Sequence, residues 1–178
     1  HALWREADGK ISGGHILPEE TIVAERTTVT ALGLNGAMFE AAADPETNFK
    51  VFGPVRSAVA TDLPGDFRVL AIRLRPNQDF ASALEAIVAE YGFKRARIRG
   101  GVGSTIGAEL VDGTVVENFA TEVFVRCGDI IRNADGLWEA ALDVGIVDYN
   151  GQIASGGLAR GKNPVLMTFE MVIEEVAT

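Results

Sequence analysis

The stretch that decides the fold is FRVLAIRLRPNQDFASALEAIVAEYGFKRARIRGGVGS, Phe67 to Ser104. Its opening alternates, with Leu70, Ile72 and Leu74 on one face and Arg73 and Arg75 on the other. That is the period of a half-buried strand, and Pro76 ends it. Asp79 can offer a side-chain oxygen to the orphan amides of a first helical turn, so a helix is expected from Phe80 to Tyr91. Phe80, Leu84, Ile87, Val88 and Tyr91 form its apolar stripe. Gly92 supplies a left-handed stop, and Phe93 folds back as the apolar partner. Lys94 to Arg99 alternates again, with Ala96 and Ile98 inward, and runs into Gly100-Gly101-Val102-Gly103-Ser104, read as a glycine-dense turn or bulge.

Strands dominate on both sides of this unit. Downstream, they are expected at Ile106–Leu110, Glu117–Cys127, Ala140–Asp148 and Val165–Glu174, with an Asn150-Gly151 hairpin turn. Met167, Phe169, Met171 and Ile173 are the natural core face of the last one. Upstream, His1–Arg5 is a brief strand followed by an Asp8-Gly9 turn and Ile11 to Leu17. Thr21 to Leu32 is rich in Thr and Val, which favours strand, with Ile22, Val29 and Leu32 as core contacts. Ala37–Ala43 reads as one or two helical turns ended by Asp44-Pro45, and Phe49, Val51 and Phe52 as a strand. Residues 53–66 read as a linker and domain boundary. The fold class is α/β (α+β).

The chain has 178 residues, 47% apolar and 23% charged, with a formal charge of −9. That suits a globular chain and excludes a disordered one. Cys127 is the only cysteine, so no intrachain disulfide forms. No apolar run is long enough to cross a bilayer and no secretory signal pattern is present, so a cytoplasmic location and no membrane partner are expected. The first residue is His1 rather than methionine, so processing or an upstream segment is expected. Net negative charge opposes binding to phosphate backbones, making nucleic acid an unfavoured partner. Residues 67–100 nevertheless carry +4, leaving −13 elsewhere, so a local anion site is compatible.

A weak internal repeat links the two ends. Asp8-Gly9-Lys10-Ile11-Ser12-Gly13-Gly14, then a Thr/Val segment, parallels Asn150-Gly151-Gln152-Ile153-Ala154-Ser155-Gly156-Gly157, then a strand. Leu3-Trp4 parallels Leu137-Trp138, which favours a shared packing role for the tryptophans. Residues 1–55 are accordingly expected to be the second half of a first copy, and residues 60–178 a complete second copy. Half a domain exposes a raw core face and unpaired strand edges, so other polypeptide is expected to cover it.

From Phe67 to Ile173 the order is strand, Pro-x-x-Asp cap, helix ending in glycine, basic strand, Gly-Val-Gly-Ser, strands, then Asn-Gly-x-x-x-x-Gly-Gly. This resembles the plants-and-prokaryotes conserved (PPC) domain. The resemblance spans most of the second copy and the Gly-Gly region of the first. It implies a curved, mostly antiparallel sheet packed on a helix, and assembly as a homo-oligomer, the trimer foremost. The plant members accompany AT-hooks, a basic segment this chain lacks. The family often carries His-x-His on one strand and a third histidine after the Gly-Gly pair, a trio able to bind metal. His1 matches the first position, Leu3 stands at the second, and His15 matches the third. In the second copy Leu158 follows Gly156-Gly157 and no histidine accompanies Trp138.

Candidate sites are few. His1 and His15 could bind zinc with a further donor, Glu6, Asp8 or Glu25 being the carboxylates nearby in sequence; no other cofactor is indicated. Arg97 and Arg99, with Gly101, Gly103 and Ser104, could bind a small anion through guanidinium groups and backbone amides. The same arginines equally suit ion pairs on a solvated strand face, or subunit contacts. Glu122 and Glu170 would form an acid/base pair only if brought together, and Cys127 reads as a buried small hydrophobe. The expected function is a binding or assembly protein recognising a small anionic ligand at a subunit interface. The alternatives are an enzyme acting on a small carboxylate- or phosphate-bearing metabolite, and a DNA-associated protein.

Overall fold

The computed structural model of the chain describes residues 1–23, 25–58 and 68–176. Elements in chain order are β1 (Ala2–Arg5), β2 (Ile11–Gly14), β3 (Ala37–Asp44), β4 (Phe49–Arg56), β5 (Val69–Leu74), α1 (Phe80–Glu90), β6 (Ala96–Thr105), β7 (Ala108–Glu109), β8 (Val115–Val116), β9 (Thr121–Arg132), β10 (Trp138–Asp148), β11 (Ile153–Gly157) and β12 (Val165–Glu175). Six of the strands form one antiparallel sheet ordered β11-β10-β9-β6-β12-β5. The expected α+β class holds: one helix lies on one face of this sheet.

The helix forms as its local signals dictate. Asp79 is the N-cap and accepts from the Ser82 amide at 2.9 Å. The same carboxylate accepts from the Gly161 and Asn163 amides, tying the loop before β12 to the helix start. Gly92 takes a φ of 64°, and the buried Phe93 returns its amide to the Val88 carbonyl. Phe80, Leu84 and Val88 are fully buried, whereas Tyr91 is exposed and Glu85 is buried in the stripe instead. Glu85 is partnered there: Arg160 grips it through both oxygens and the Ala140 amide donates to it. The core is completed from the sheet by Ile98, Val123, Ile130, Leu142, Ile146, Phe169, Met171 and Ile173. Phe80 and Phe169 stack with ring centroids 4.2 Å apart.

Four sequence expectations are corrected. The turn-or-bulge reading of Gly100–Ser104 fails as a turn: the stretch lies inside β6, where its pairing with β12 is irregular beside Gly100, and its glycines let β12 run close alongside. A Cβ on Gly103 would sit 2.6 Å from the Phe169 Cα, and one on Gly101 would sit 2.9 Å from the Met171 Cβ. Ala37–Ala43 is strand rather than helix, because every residue of β3 pairs with β4 and this outweighs alanine's helical preference. Among the described residues of Thr21–Leu32 there is no strand and no buried side chain; Ile22 is 89% and Val29 78% exposed. Cys127 is exposed rather than buried, because Arg126 is an extra residue in β9 that reverses its alternation. Of the linker expected at 53–66, residues 53–56 are instead the end of β4, and 59–66 lie outside the described residues, as does Phe67, the first residue of the Phe67–Arg75 strand.

The sheet face opposite α1 carries the two N-terminal hairpins. The β1–β2 hairpin lies over β10, with Leu3 Cδ1 3.0 Å from the place a Gly145 Cβ would occupy. The β3–β4 hairpin is clamped to the other end of the face by Arg73, whose two terminal nitrogens each lie 3.2 Å from an Asp44 oxygen. The Arg73 bond, followed by those from Thr47, holds the Asp44 carboxyl down at about 2. A group lowered in the folded state stabilises above its ordinary value and loses that contribution as pH falls through the folded value. A carbon NMR titration of Asp44 should therefore show a midpoint near 2, with the hairpin released below it. A midpoint at the ordinary 3.8 would show that the clamp does not hold in solution.

Candidate metal centre

The β1–β2 register brings the two histidines together. Ala2 pairs with Gly14, so His1 and His15 flank the open end of the hairpin, with ring centroids 5.0 Å apart. The third member comes from the main sheet: Glu122 on β9, paired with Ser104 of β6. One donor atom from each of His1, His15 and Glu122 lies within 4.8 Å of the others. His1 Nδ1 stands 3.3 Å from the Val123 carbonyl, to which it can donate, leaving Nε2 to face Glu122 at 2.5 Å. Glu122 Oε2 is buried and lies 2.5 Å from His1 Nε2, outside aligned hydrogen-bond geometry. Burial pulls the His1 imidazole down, but the Glu122 carboxylate, the Val123 carbonyl and the charge of Glu170 outweigh it and hold the ring above 6.5.

This donor set fits a divalent transition ion. Two imidazoles and one carboxylate make a three-ligand zinc site with a position left open. The backbone bond on Nδ1 is the kind of outer contact that fixes which nitrogen of a ligating histidine faces the ion. A cavity of about 290 Å³ adjoins Glu122 and is lined also by Gly13, Gly14, Asp148 and Tyr149. On β12, Glu170 accepts from Thr168 Oγ1 at 2.7 Å, and Thr168 in turn accepts from Arg73 Nε. Burial raises the Glu170 carboxyl above 4.5, against the lowering effects of Thr168, Arg73 and His1. Glu122 and Glu170 thus share a face and both act on His1, a juxtaposition no local sequence signal announces.

The expected anion residues have other partners. Arg97 donates to Asp129 at 3.2 Å, joined there by Arg95, and Arg99 pairs with Glu174. Gly101 and Gly103 lie against Met171 and Phe169, and the buried Ser104 Oγ accepts from the Met167 amide. The carboxylates near the histidines in sequence do not join them: Glu6 accepts from Trp4 Nε1 and Asp8 from the Lys10 amide, both within the hairpin's own turn. Among the described residues, no helix is long and apolar enough to cross a membrane.

The model of the Plants and Prokaryotes Conserved domain matches residues 62–177. The chain belongs to this family. The match begins after the N-terminal hairpins, so β5 to β12 are the PPC domain and residues 1–58 lie outside it. Three solved structures share its fold. A hypothetical protein from Salmonella enterica is 24% identical, with a TM-score of 0.52, covering 64% of this chain and 81% of its own. A plant- and prokaryote-conserved protein from Pyrococcus horikoshii is 19% identical, with a TM-score of 0.51, covering 65% and 85%. A protein from Bacteroides thetaiotaomicron, provisionally described as DNA-binding, is 18% identical, with a TM-score of 0.50, covering 66% and 83%. No functionally curated protein matches the chain.

Proposed function

We propose that this PPC protein binds a divalent transition ion, zinc foremost, through His1, His15 and Glu122, and takes a small carboxylate- or phosphate-bearing molecule at the position left open. The observation that carries the reading is the convergence of three ligand-type donors within 4.8 Å from two separate parts of the chain. A bound ion would supply Lewis-acid attraction for an oxyanion. The chain's own part is to orient His1 through Val123, to keep Glu122 without a competing donor, and to border a small cavity with Gly13 and Gly14. Calorimetric titration with zinc tests it: one ion per chain is expected, and His15→Ala should weaken binding by roughly 100-fold, the loss of one direct ligand. Equal affinity in both proteins would remove His15, and with it the site.

A second reading, association with DNA, takes its support from the description of the Bacteroides relative. This chain would bring to it a net charge of −9 and β6 arginines already paired with carboxylates, so contact with DNA would need several copies to align their basic strands.

We also propose that residues 1–55 are the second half of a first PPC-like unit, within a homo-oligomer, preferably a trimer. The β1–β2 hairpin turns at Asp8-Gly9 as β10–β11 turns at Asn150-Gly151, with φ of 87° and 78° at the two glycines. Residues 21–32 then correspond to β12, which in the second unit pairs with β5 on one side and β6 on the other. Sedimentation should give three times 18.9 kDa, with slow amide exchange across residues 21–32. A monomer in which that segment exchanges freely would refute both statements.

A further inference from the structure

The extra residue in β9 has a consequence at the far side of the sheet from the histidines. Val123 and Val125 face the core, and Cys127 would follow them if the alternation held. Val125 pairs with Val144 and Cys127 with Asp143, so Arg126 is left over and the phase reverses. Gly128 and Ile130 then take the inward positions, and the Cys127 side chain turns out. A Cβ at position 128 would meet the end of the Leu142 side chain, Cδ2, at 2.9 Å. Beside the bulge lies a cavity of about 600 Å³.

Its lining is uneven in a way that selects a ligand. Gly128, Ala140, Ala141 and Gly157 contribute small side chains or none, while Val111, Leu137, Leu158 and Trp138 add apolar walls. Arg132 lies over the Trp138 ring, 4.4 Å from its centroid. The charged groups are Asp129, Glu139, Asp143 and Arg160, three negative against one positive. Arg160 is committed to Glu85, Asp129 to Arg95 and Arg97, and Asp143 to Arg126. Glu139 is exposed, has no hydrogen bond or ion pair among the described residues, and acts on Arg160 only through its charge. The volume falls within the range of small-molecule pockets, and an apolar lining with one uncommitted carboxylate suits an apolar body bearing a positive charge. No lining residue is shared with the cavity beside Glu122.

We propose that this cavity binds a small organic cation, an aryl- or alkylamine, with its ammonium group on Glu139 and its apolar body against Ala141 and Leu158. The site stands independently of the metal centre. Because Cys127 is the only cysteine and lines the cavity, its alkylation by iodoacetamide reports occupancy. The experiment uses the full chain in a metal chelator, with phenethylamine as the probe and phenylacetate as a control of similar body and opposite charge. Phenethylamine should slow labelling about threefold or more once it exceeds twice its dissociation constant, and phenylacetate should leave the rate unchanged. Glu139→Gln should abolish the protection without altering the rate in the absence of probe. Fluorescence of Trp138, isolated by Trp4→Phe, should change with phenethylamine alone. No protection by the amine, equal protection by both compounds, or protection that survives Glu139→Gln would overturn the proposal.

Discussion

Gly103→Ala should destabilise the protein by about 3 kcal/mol, lowering the melting temperature by roughly 6–12 °C for a chain of this size. The reason is backbone, not side chain. The added methyl would lie 2.6 Å from the Phe169 Cα, in a strand pairing that neither β6 nor β12 can loosen without moving Phe169 off Phe80. Phe169 is wholly buried, so any shift propagates into the helix interface. Gly100→Ala is the control from the same strand: a Cβ there meets nothing within 4 Å, and its backbone is not in the left-handed region. That variant should melt within about 0.5 kcal/mol of the parent. Matched losses from both substitutions would show that β12 does not ride close on β6, and that Gly103 is not held by packing.

The second large effect concerns Glu122. Glu122→Gln keeps the shape of the side chain and removes its charge, leaving two imidazoles and a weak amide oxygen. Zinc affinity should fall by roughly 100-fold or more, since hard anionic oxygen is the donor that balances the ion's charge in a two-histidine set. The fold should survive. Glu122 Oε2 satisfies no protein donor in aligned geometry, so its loss removes little besides attraction to His1. A variant that binds zinc as tightly as the parent, or one that loses its fold, would contradict the assignment of Glu122 as a ligand rather than a structural group.

How far the sequence could be read divides along local and non-local lines. Helix α1 is legible because cap, stripe and stop all lie within its own residues, Asp79 through Gly92. The β12 core face is legible for the same reason: a period of two buries Phe169, Met171 and Ile173, with Met167 left half-buried. Cys127 is misread because one added residue, Arg126, reverses the alternation of β9, and a bulge has no local marker. The bulge half of the Gly100–Ser104 reading holds beside Gly100, and the turn half fails because glycine serves a tight turn and a close strand approach equally well. Only the position of Phe169 on the neighbouring strand decides between them. Ala37–Ala43 follows its partner strand rather than its own propensity. His1 and His15 are found from the Gly-Gly turn, but the carboxylate that meets them is not one of the nearby acids. Glu122 joins them because the hairpin lies across the sheet face, a tertiary contact with no echo in spacing. The arginines of β6 follow their cross-strand neighbours Asp129 and Glu174, which a one-dimensional reading of Arg97 and Arg99 could name only as acidic partners in general.

The most direct measurement is anomalous diffraction at the zinc edge from crystals of the protein grown with the metal. One strong anomalous peak per chain is expected, bonded to His1, His15 and Glu122, with a further position open toward the cavity lined by Gly13 and Gly14. A peak bonded elsewhere, or zinc-grown crystals in which those three side chains hold no ion, would contradict it.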